Sequence, residues 1–257
     1  MKILSKLFSN SGAQTTLFRE DILKEIKEGG LQIAPFNPEL VKEASIDLSL
    51  GEYYFEQNED YEMRAQIGGP RCHNPFDQFS RNLWKCDCSR AKPAQICADE
   101  HDVVLKGFDP KDLAVVIKPK QSILSASLEF VKLGERISLH LDGRSSPARL
   151  LLRAAGPMDF IDPGYVDPVT FLITNPFDTL PVVLKVGTRL VQFEVKKGGP
   201  GCSGCYGGRG KYSSPVSLEE AQAAWQPEMM HSKMHLDPEA FPSMTVYPDK
   251  HITSRAV

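Results

Sequence analysis

Two arginines and two serines lie close together in the segment DGRSSPARLLL, directly after an alternating strand pattern. These residues are Arg144, Ser145, Ser146 and Arg149. Guanidinium groups, hydroxyls and free backbone N–H groups at a turn are the fixed donors that a polyphosphate requires. The spacing therefore predicts a site for a phosphorylated ligand, and a solvated turn with surface arginines is the alternative.

Two further polar side chains occupy positions where the backbone pattern fixes their direction. Asp162 begins a DPG turn, which holds its carboxylate in one place, and an Asx-type turn without a ligand is the alternative. Gln192 lies in the strand pattern RLVQFEV on the face opposite the apolar residues, so its amide points either to a ligand or to solvent.

The strand pattern VTFLITN, which follows the DPG turn, contains one residue of unexpected type. Three apolar residues, Val169, Phe171 and Ile173, occupy one face. The other face carries Thr170, Leu172 and Thr174. Because side chains alternate with period two, Leu172 is an aliphatic residue on a face of hydroxyls. We expect this face to border the ligand site.

Cysteines in short-spaced pairs suggest a separate metal site. Cys86 and Cys88 form a C-x-C pair, and Cys202 and Cys205 form a C-x-x-C pair. Four thiolates in this pattern suit a tetrahedral structural Zn²⁺. Two alternatives remain open: unrelated reduced thiols, or a ligand set that includes Cys72, His73 and Cys97.

Length and charge exclude several classes of protein. The chain has 257 residues, of which 41% are hydrophobic, so it can bury the core of one large domain. A net charge of -3 provides no basic field for nucleic acid, although a small anionic ligand requires only a few local cations. Neither a run of about 18 apolar residues nor a signal-peptide core is present, so we expect a cytoplasmic protein without a membrane span.

Short strand patterns dominate the chain and predict a mainly β fold, a sandwich or distorted barrel with few helices. Strand patterns occur at LQIAPF, ASIDLSLG and EYYF, and they return from VVLKGF through RLVQFEV. One short helix is predicted over residues 19–28, with Ile22 and Ile26 on one face and Gly29 at its end.

Changes in composition divide the chain. Residues 56–102 are polar and lose the strand rhythm, so we predict an insertion within a domain that spans residues 19–215. Residues 1–18 and 216–257 are predicted to be extensions, and Ser217 with Glu220 predicts a capping box at the start of a C-terminal helix.

The order and spacing of several motifs resemble a known family. ASIDLSLG, SLEFVKLGERI, GRSSPARLLL, FIDPGY, PVVLKVGTRLVQFEV and GKYSSP are similar to motifs of the dCTP deaminase branch of the trimeric dUTPase-like superfamily. The resemblance covers about residues 20–55 and 103–215. It implies a dUTPase-like fold and a homotrimer that binds a deoxypyrimidine nucleoside triphosphate between its subunits.

The resemblance also implies roles for single residues. Arg144, Ser145 and Arg149, with the adjacent Ser146, match positions that hold the triphosphate and line the reacting centre, and Gln192 matches a phosphate-side glutamine. Asp162 matches the acceptor of the deoxyribose 3′-hydroxyl, and Tyr165 matches an aromatic residue that packs on the sugar. Lys211 and Tyr212 match a C-terminal segment that closes over the phosphates.

Leu172 departs from the family pattern. In the deaminases this position carries a glutamate that acts as general base in the conversion of dCTP to dUTP, and leucine cannot accept a proton. Asp159, near the expected base-recognition loop, is a candidate substitute. The dUTPase branch instead uses the turn aspartate, here Asp162, to activate water against the α-phosphate, with Mg²⁺ on the phosphates. On the coverage of the motifs we predict an enzyme of the dCTP deaminase type, and a dUTP or dCTP diphosphatase and a catalytically silent nucleotide-binding protein are the alternatives.

Overall fold

The computed structural model describes residues 15–154, 159–199, 201, 206, 210–212 and 217–236. Within these residues, β-strands form most of the regular structure. The strands are β1 Thr15–Thr16, β2 Leu31–Ala34, β3 Ile46–Glu56, β4 Ser89–Arg90, β5 Lys92–Pro93, β6 Leu113–Ile117, β7 Ser122–Leu133, β8 Ile137–Gly143, β9 Arg153–Ala154, β10 Phe160–Ile161, β11 Val166–Thr174, β12 Val182–Lys185 and β13 Arg189–Lys197.

These strands form two antiparallel sheets. The larger sheet has the order β10-β8-β13-β3-β7-β11-β9, with β1, β2 and β4 attached at its sides, and the smaller sheet has the order β12-β6-β5. The larger sheet does not close on itself within the described residues. The predicted mainly β fold with few helices is thus confirmed, in an open form that is not a closed barrel.

Helices are short and few in the described part of the chain. The α-helices are α1 Arg19–Glu28, α2 Tyr61–Ile67, α3 Ala94–His101, α4 Ser145–Arg149 and α5 Leu218–Ala224. The 3-10 helices are Pro38–Leu40, Gln78–Leu83, Pro227–Met230 and Met234–Leu236. No helix in this described part is long and apolar enough to cross a membrane.

Both predicted helix signals are confirmed. Helix α1 ends at Gly29, which adopts φ 79° and donates its N–H to the carbonyls of the last turn. Glycine reaches this left-handed conformation without a steric penalty. Helix α5 begins with a complete capping box, in which Ser217 and Glu220 satisfy each other's backbone N–H.

Two strand predictions were wrong. The segments ASIDLSLG and EYYF form the single strand β3, because a glycine at position 51 allows the backbone of β7 to approach; a Cβ on Gly51 would lie 2.7 Å from the Ala126 carbonyl oxygen. The segment VVLKGF forms no strand, and Val104 is 87% exposed. No strand of the described chain pairs with that segment, so its backbone does not become part of a sheet despite the alternating side chains.

Two faces of the larger sheet are covered differently. Val169, Phe171 and Ile173 of β11 lie in the main core. On the opposite face, helix α5 and the 3-10 helix Pro227–Met230 pack against β11 and β7. The C-terminal extension therefore covers the side of the sheet that carries Leu172.

Candidate functional site

A buried carboxylate holds one of the predicted arginines in place. Arg144 follows β8, and its Nε lies 3.0 Å from Oδ1 of Asp47, while Nη1 of Arg189 lies 3.1 Å from Oδ2. The first contact is an ion pair without the alignment of a hydrogen bond. Asp47 is 1% exposed, whereas both arginines keep part of their surface in solvent. Asp47 thus fixes the direction of two guanidinium groups that remain accessible.

Asp47 was missed by sequence reasoning. It lies on β3, 97 positions before Arg144, and β13 joins the two segments because Gln192 pairs with both Asp47 and Asp142. A lone carboxylate within the apolar strand pattern ASIDLSLG was the signal that could have identified it. Gln192 itself is half-buried, on the face opposite the apolar residues of β13 as predicted.

The predicted hydroxyls and the second arginine lie on helix α4. Ser145, Ser146 and Arg149 are exposed, and the buried Pro147 anchors this short helix. The helix contacts β9, which pairs with the end of β11. The segment therefore presents donors at the surface, next to the ion pair of Arg144 and Asp47.

A second group forms around the DPG turn. Asp162 is exposed, and the Tyr165 hydroxyl donates to the Pro168 carbonyl over 2.7 Å. Burial raises the pKa of Tyr165 well above its usual value. Tyr206, from the glycine-rich segment, donates its N–H to Pro163 over 2.9 Å, and its ring centroid lies 6.2 Å from that of Tyr165. The turn and this segment are thus in direct contact.

The predicted lid residues contact the C-terminal extension. Lys233 donates its N–H to the Tyr212 hydroxyl over 2.7 Å and its ammonium group to the Lys211 carbonyl. The ammonium groups of Lys211 and Lys233 lie 5.5 and 5.4 Å from the centroid of the Tyr212 ring. The extension therefore determines where these two lid residues lie.

Within one chain, the two groups are not joined. Among the described residues, no hydrogen bond or ion pair links Arg144 or Ser145 to Asp162 or Tyr165. These contacts do not test whether one ligand can reach both groups, and the site between subunits stays a prediction.

Leu172 lies under an apolar cover. It packs in a cluster with Phe55, Leu124 and Ala126 of the sheet. Further side chains of the cluster come from the insertion and the extension: Trp84, Cys88, Trp225 and Met230. Sequence reasoning missed this cover because the C-terminal tail shows no helical period. At Leu172 the sheet face is therefore partly covered by the chain itself.

No described carboxylate takes the place of a glutamate at position 172. Asp159, the suggested substitute, is exposed and accepts the Leu141 N–H with its backbone carbonyl. It is not part of the cluster around Leu172. Glu129 is buried on β7, accepts the Ser49 N–H over 2.8 Å, and has a raised pKa because of its burial. Its role is to satisfy a strand N–H.

The cysteines do not gather in the described structure. Cys86 is exposed, and the thiol of Cys88 donates to backbone carbonyls, with burial raising its pKa to about 11. Cys97 is buried in a separate cluster. Cys202 and Cys205 lie outside the described residues. No group of three or more possible metal ligands occurs among the described residues, and the zinc site stays a prediction.

Comparisons with known proteins identify relatives. A family model described as dCTP deaminase-like matches residues 84–198. The dUMP-forming dCTP deaminase of Methanococcus aeolicus is 31% identical over 178 residues, which cover 69% of this chain and 81% of the relative. The dUMP-forming dCTP deaminase of Salinispora tropica is 30% identical over 172 residues, which cover 67% of this chain and 74% of the relative.

A solved structure gives a weaker match. The 2′-deoxycytidine 5′-triphosphate deaminase from Agrobacterium tumefaciens aligns with a TM-score of 0.46 and 20% identity, over 72% of this chain and 48% of that chain.

Fold and site together define a mainly antiparallel β protein whose motif residues lie on helix α4, at the DPG turn and on the strands β11 and β13. The identity and coverage of the curated relatives show more: the chain belongs to the dCTP deaminase family. The resemblance that the motifs predicted is thereby confirmed.

Proposed function

We propose that this protein binds a deoxypyrimidine nucleoside triphosphate and hydrolyses it at the phosphate end. The observation that carries the proposal is the apolar surrounding of Leu172, where the deaminases of the family use a general base. Asp162, which the diphosphatase reaction uses, is present and exposed. Asp162 is thus a candidate base for attack on the phosphates, whereas none of the described carboxylates lies in the cluster around Leu172.

The two relatives described above are dUMP-forming dCTP deaminases, and this product supports the division. Forming dUMP from dCTP requires two hydrolytic changes, the loss of the amino group and the loss of two phosphates. In the superfamily that the motifs resemble, deamination uses a glutamate at the position of Leu172, whereas hydrolysis of the triphosphate uses the turn aspartate, here Asp162. Because the proton acceptors differ, one reaction can persist when the other is lost. In the proposed reaction, Asp162 takes a proton from water, the water oxygen bonds to the α-phosphorus, and the bond to the bridging oxygen breaks to release pyrophosphate.

Deamination of dCTP is the second candidate. Identity of 31% to a dCTP deaminase and the order of the motifs favour it. Without a general base, deamination is expected to be slower by about a hundred- to ten-thousandfold.

One assay separates the candidates. Purified protein is incubated with dCTP or dUTP and Mg²⁺, and both pyrophosphate and ammonia are measured. We expect pyrophosphate, with loss of its release in Asp162→Asn but retained nucleotide binding. Asp178→Asn, which changes an exposed aspartate elsewhere, is the matched control. Ammonia release at a comparable rate would contradict the proposal, and binding without either product would indicate a silent nucleotide-binding protein.

We further propose that the active unit is a homotrimer with sites between subunits. Arg144→Gln and Asp162→Asn are each expected to be inactive as pure proteins. If Arg144 and Asp162 of one site belong to different chains, each mixed trimer regains one intact site, which is about a quarter of all sites in a random equal mixture. No recovery after mixing, with mixed oligomers demonstrated by mass, would contradict sites of this composition.

Metal requirements follow from the donors present. Asp162 is one carboxylate at the turn, and no described cluster could hold an ion by itself. Mg²⁺ would therefore be held mainly by the nucleotide phosphates, whose charge it would reduce.

The predicted structural Zn²⁺ would use Cys86, Cys88, Cys202 and Cys205. Metal analysis of protein purified without chelators tests this prediction, and substoichiometric zinc would refute it.

A further inference from the structure

A cavity of about 400 Å³ lies between the insertion and the C-terminal extension. Its walls are formed by two short segments, 81–86 and 228–233. Neither segment contributes a residue to the motifs from which the nucleotide site is predicted. A larger groove of about 640 Å³, lined mainly by the insertion, also lacks those residues. Two of its charged side chains, Lys120 and Glu59, are paired with neighbours, and the other two, Glu62 and Arg71, have opposite charges and leave no net charge.

Positive charge prevails in the smaller cavity. Arg81, Lys85 and Lys233 line it, with Glu228 as its lining carboxylate. Lys85 is paired with Glu56 over 2.6 Å, so Arg81 and Lys233 face one carboxylate and leave one net positive charge. In the described chain neither Arg81 nor Lys233 has a carboxylate within ion-pair distance. Cations without such partners in a concave site favour an anion.

Neighbouring residues hold Arg81 and Lys233 in place at the cavity. Nη2 of Arg81 lies 2.9 Å from Nε2 of His235, and the backbone and ammonium groups of Lys233 are held by Tyr212 and Lys211. The His231 ring packs on Phe55 with a centroid distance of 4.2 Å. Contacts on both sides of the cavity therefore limit the movement of its cations, which reduces the entropy lost when an anion binds.

We infer that this cavity binds the phosphate group of a small molecule, at a site separate from the nucleotide site of the motifs. The inference does not depend on which reaction the protein catalyses. Lys233 would contact the anion and also the lid residue Tyr212, so occupation of the cavity would be sensed at the lid. Inorganic phosphate and pyrophosphate are suitable probes, because they carry the inferred chemistry without a nucleobase.

Tryptophan fluorescence provides the measurement. The chain has two tryptophans; Trp84 lines the cavity and Trp225 lies in the adjacent cluster. The full-length protein is titrated with phosphate and with pyrophosphate at low ionic strength. We expect a saturable change, weakened at least about tenfold in Arg81→Gln, since a charge-assisted hydrogen bond is lost, and weakened further in Arg81→Glu.

Three controls make the result decisive. Arg64→Gln removes a positive charge from the exposed surface of the insertion, outside the cavity, and should bind as wild type does. Arg144→Gln alters the predicted nucleotide site and should also retain the signal. A wild-type protein without saturable binding, an equal loss in Arg64→Gln, or a loss confined to Arg144→Gln would each overturn the inference. The last outcome would assign the probe to the nucleotide site. Circular dichroism establishes that each variant is folded.

Discussion

Replacing Leu172 with glutamate places a carboxylate where the deaminases carry their general base. The structure predicts that this change will cost stability without restoring deamination. Leu172 is half-buried, and its apolar contacts contribute about 1 kcal/mol, roughly half of what a fully buried leucine contributes. Trp84, Trp225 and Met230 lie in the same cluster, so the new carboxylate would lose much of its hydration.

Desolvation is expected to raise the pKa of a glutamate at this position, because partial burial disfavours the charged carboxylate. A raised pKa in the folded state means that the folded protein holds a proton that the unfolded chain releases. The penalty is therefore small near pH 4 and grows as the pH rises through the raised value. Burial of a polar group costs about 1–3 kcal/mol, so together with the lost contacts we expect Leu172→Glu to destabilise the protein by about 2–4 kcal/mol at pH 8.

Urea denaturation at pH 4 and pH 8 measures this difference, with Leu172→Gln as the uncharged variant of similar shape. The two variants should have similar unfolding free energies at pH 4 and differ at pH 8, and neither should release ammonia from dCTP. If Leu172→Glu were as stable as Leu172→Gln at pH 8 and deaminated dCTP, the position would be open to water and substrate. The apolar cover would then be misassigned.

Three further perturbations test other parts of the structure. Asp47→Asn removes the ion pairs of Arg144 and Arg189 and should lower the unfolding free energy by about 1–3 kcal/mol. This loss is smaller than the cost of breaking a fully buried ion pair, because both arginines reach solvent. Calorimetric titration should also show weaker nucleotide binding. Glu129→Gln should flatten the pH dependence of unfolding, because burial raises the pKa of Glu129 and wild type therefore loses stability as the pH rises above about 4.5. Tyr165→Phe removes the hydrogen bond to the Pro168 carbonyl and should cost about 1–3 kcal/mol while sugar selectivity persists, since the ring remains; selectivity lost with the hydroxyl would contradict the predicted role of the ring.

Local signals predicted the elements whose stability is local. Helix α1 begins and ends where the apolar spacing and Gly29 indicate, and the capping box at Ser217 depends on contacts three residues apart. The alternation along β11 predicted which residues would be buried, because one face of that strand meets the main core.

Contacts between distant segments could not be predicted in the same way. Asp47 meets Arg144 because β13 lies between β3 and β8, and no local pattern specifies that order of strands. The C-terminal tail uses short 3-10 helices and single anchors such as Met230, so it has no period that a sequence pattern could reveal. Val104 lies in a segment with a strand-like sequence pattern, but no strand of the described chain pairs with it and its side chain is exposed. Whether a segment finds a partner strand depends on the sheet topology, which the local pattern does not specify.

Leu172 and its cover are best understood as one feature. A carboxylate in the cluster that includes Trp84 and Trp225 would lose hydration, whereas a leucine there adds apolar contact, so the packing alone accounts for the residue. The cluster leaves Leu172 half-buried and so limits the access of water to the position, and deamination requires water as well as a proton acceptor at the nucleobase. Restoring the carboxylate supplies only one of these two requirements. Asp162, by contrast, is exposed, so both water and a proton acceptor are available at the DPG turn, as the proposed hydrolysis requires.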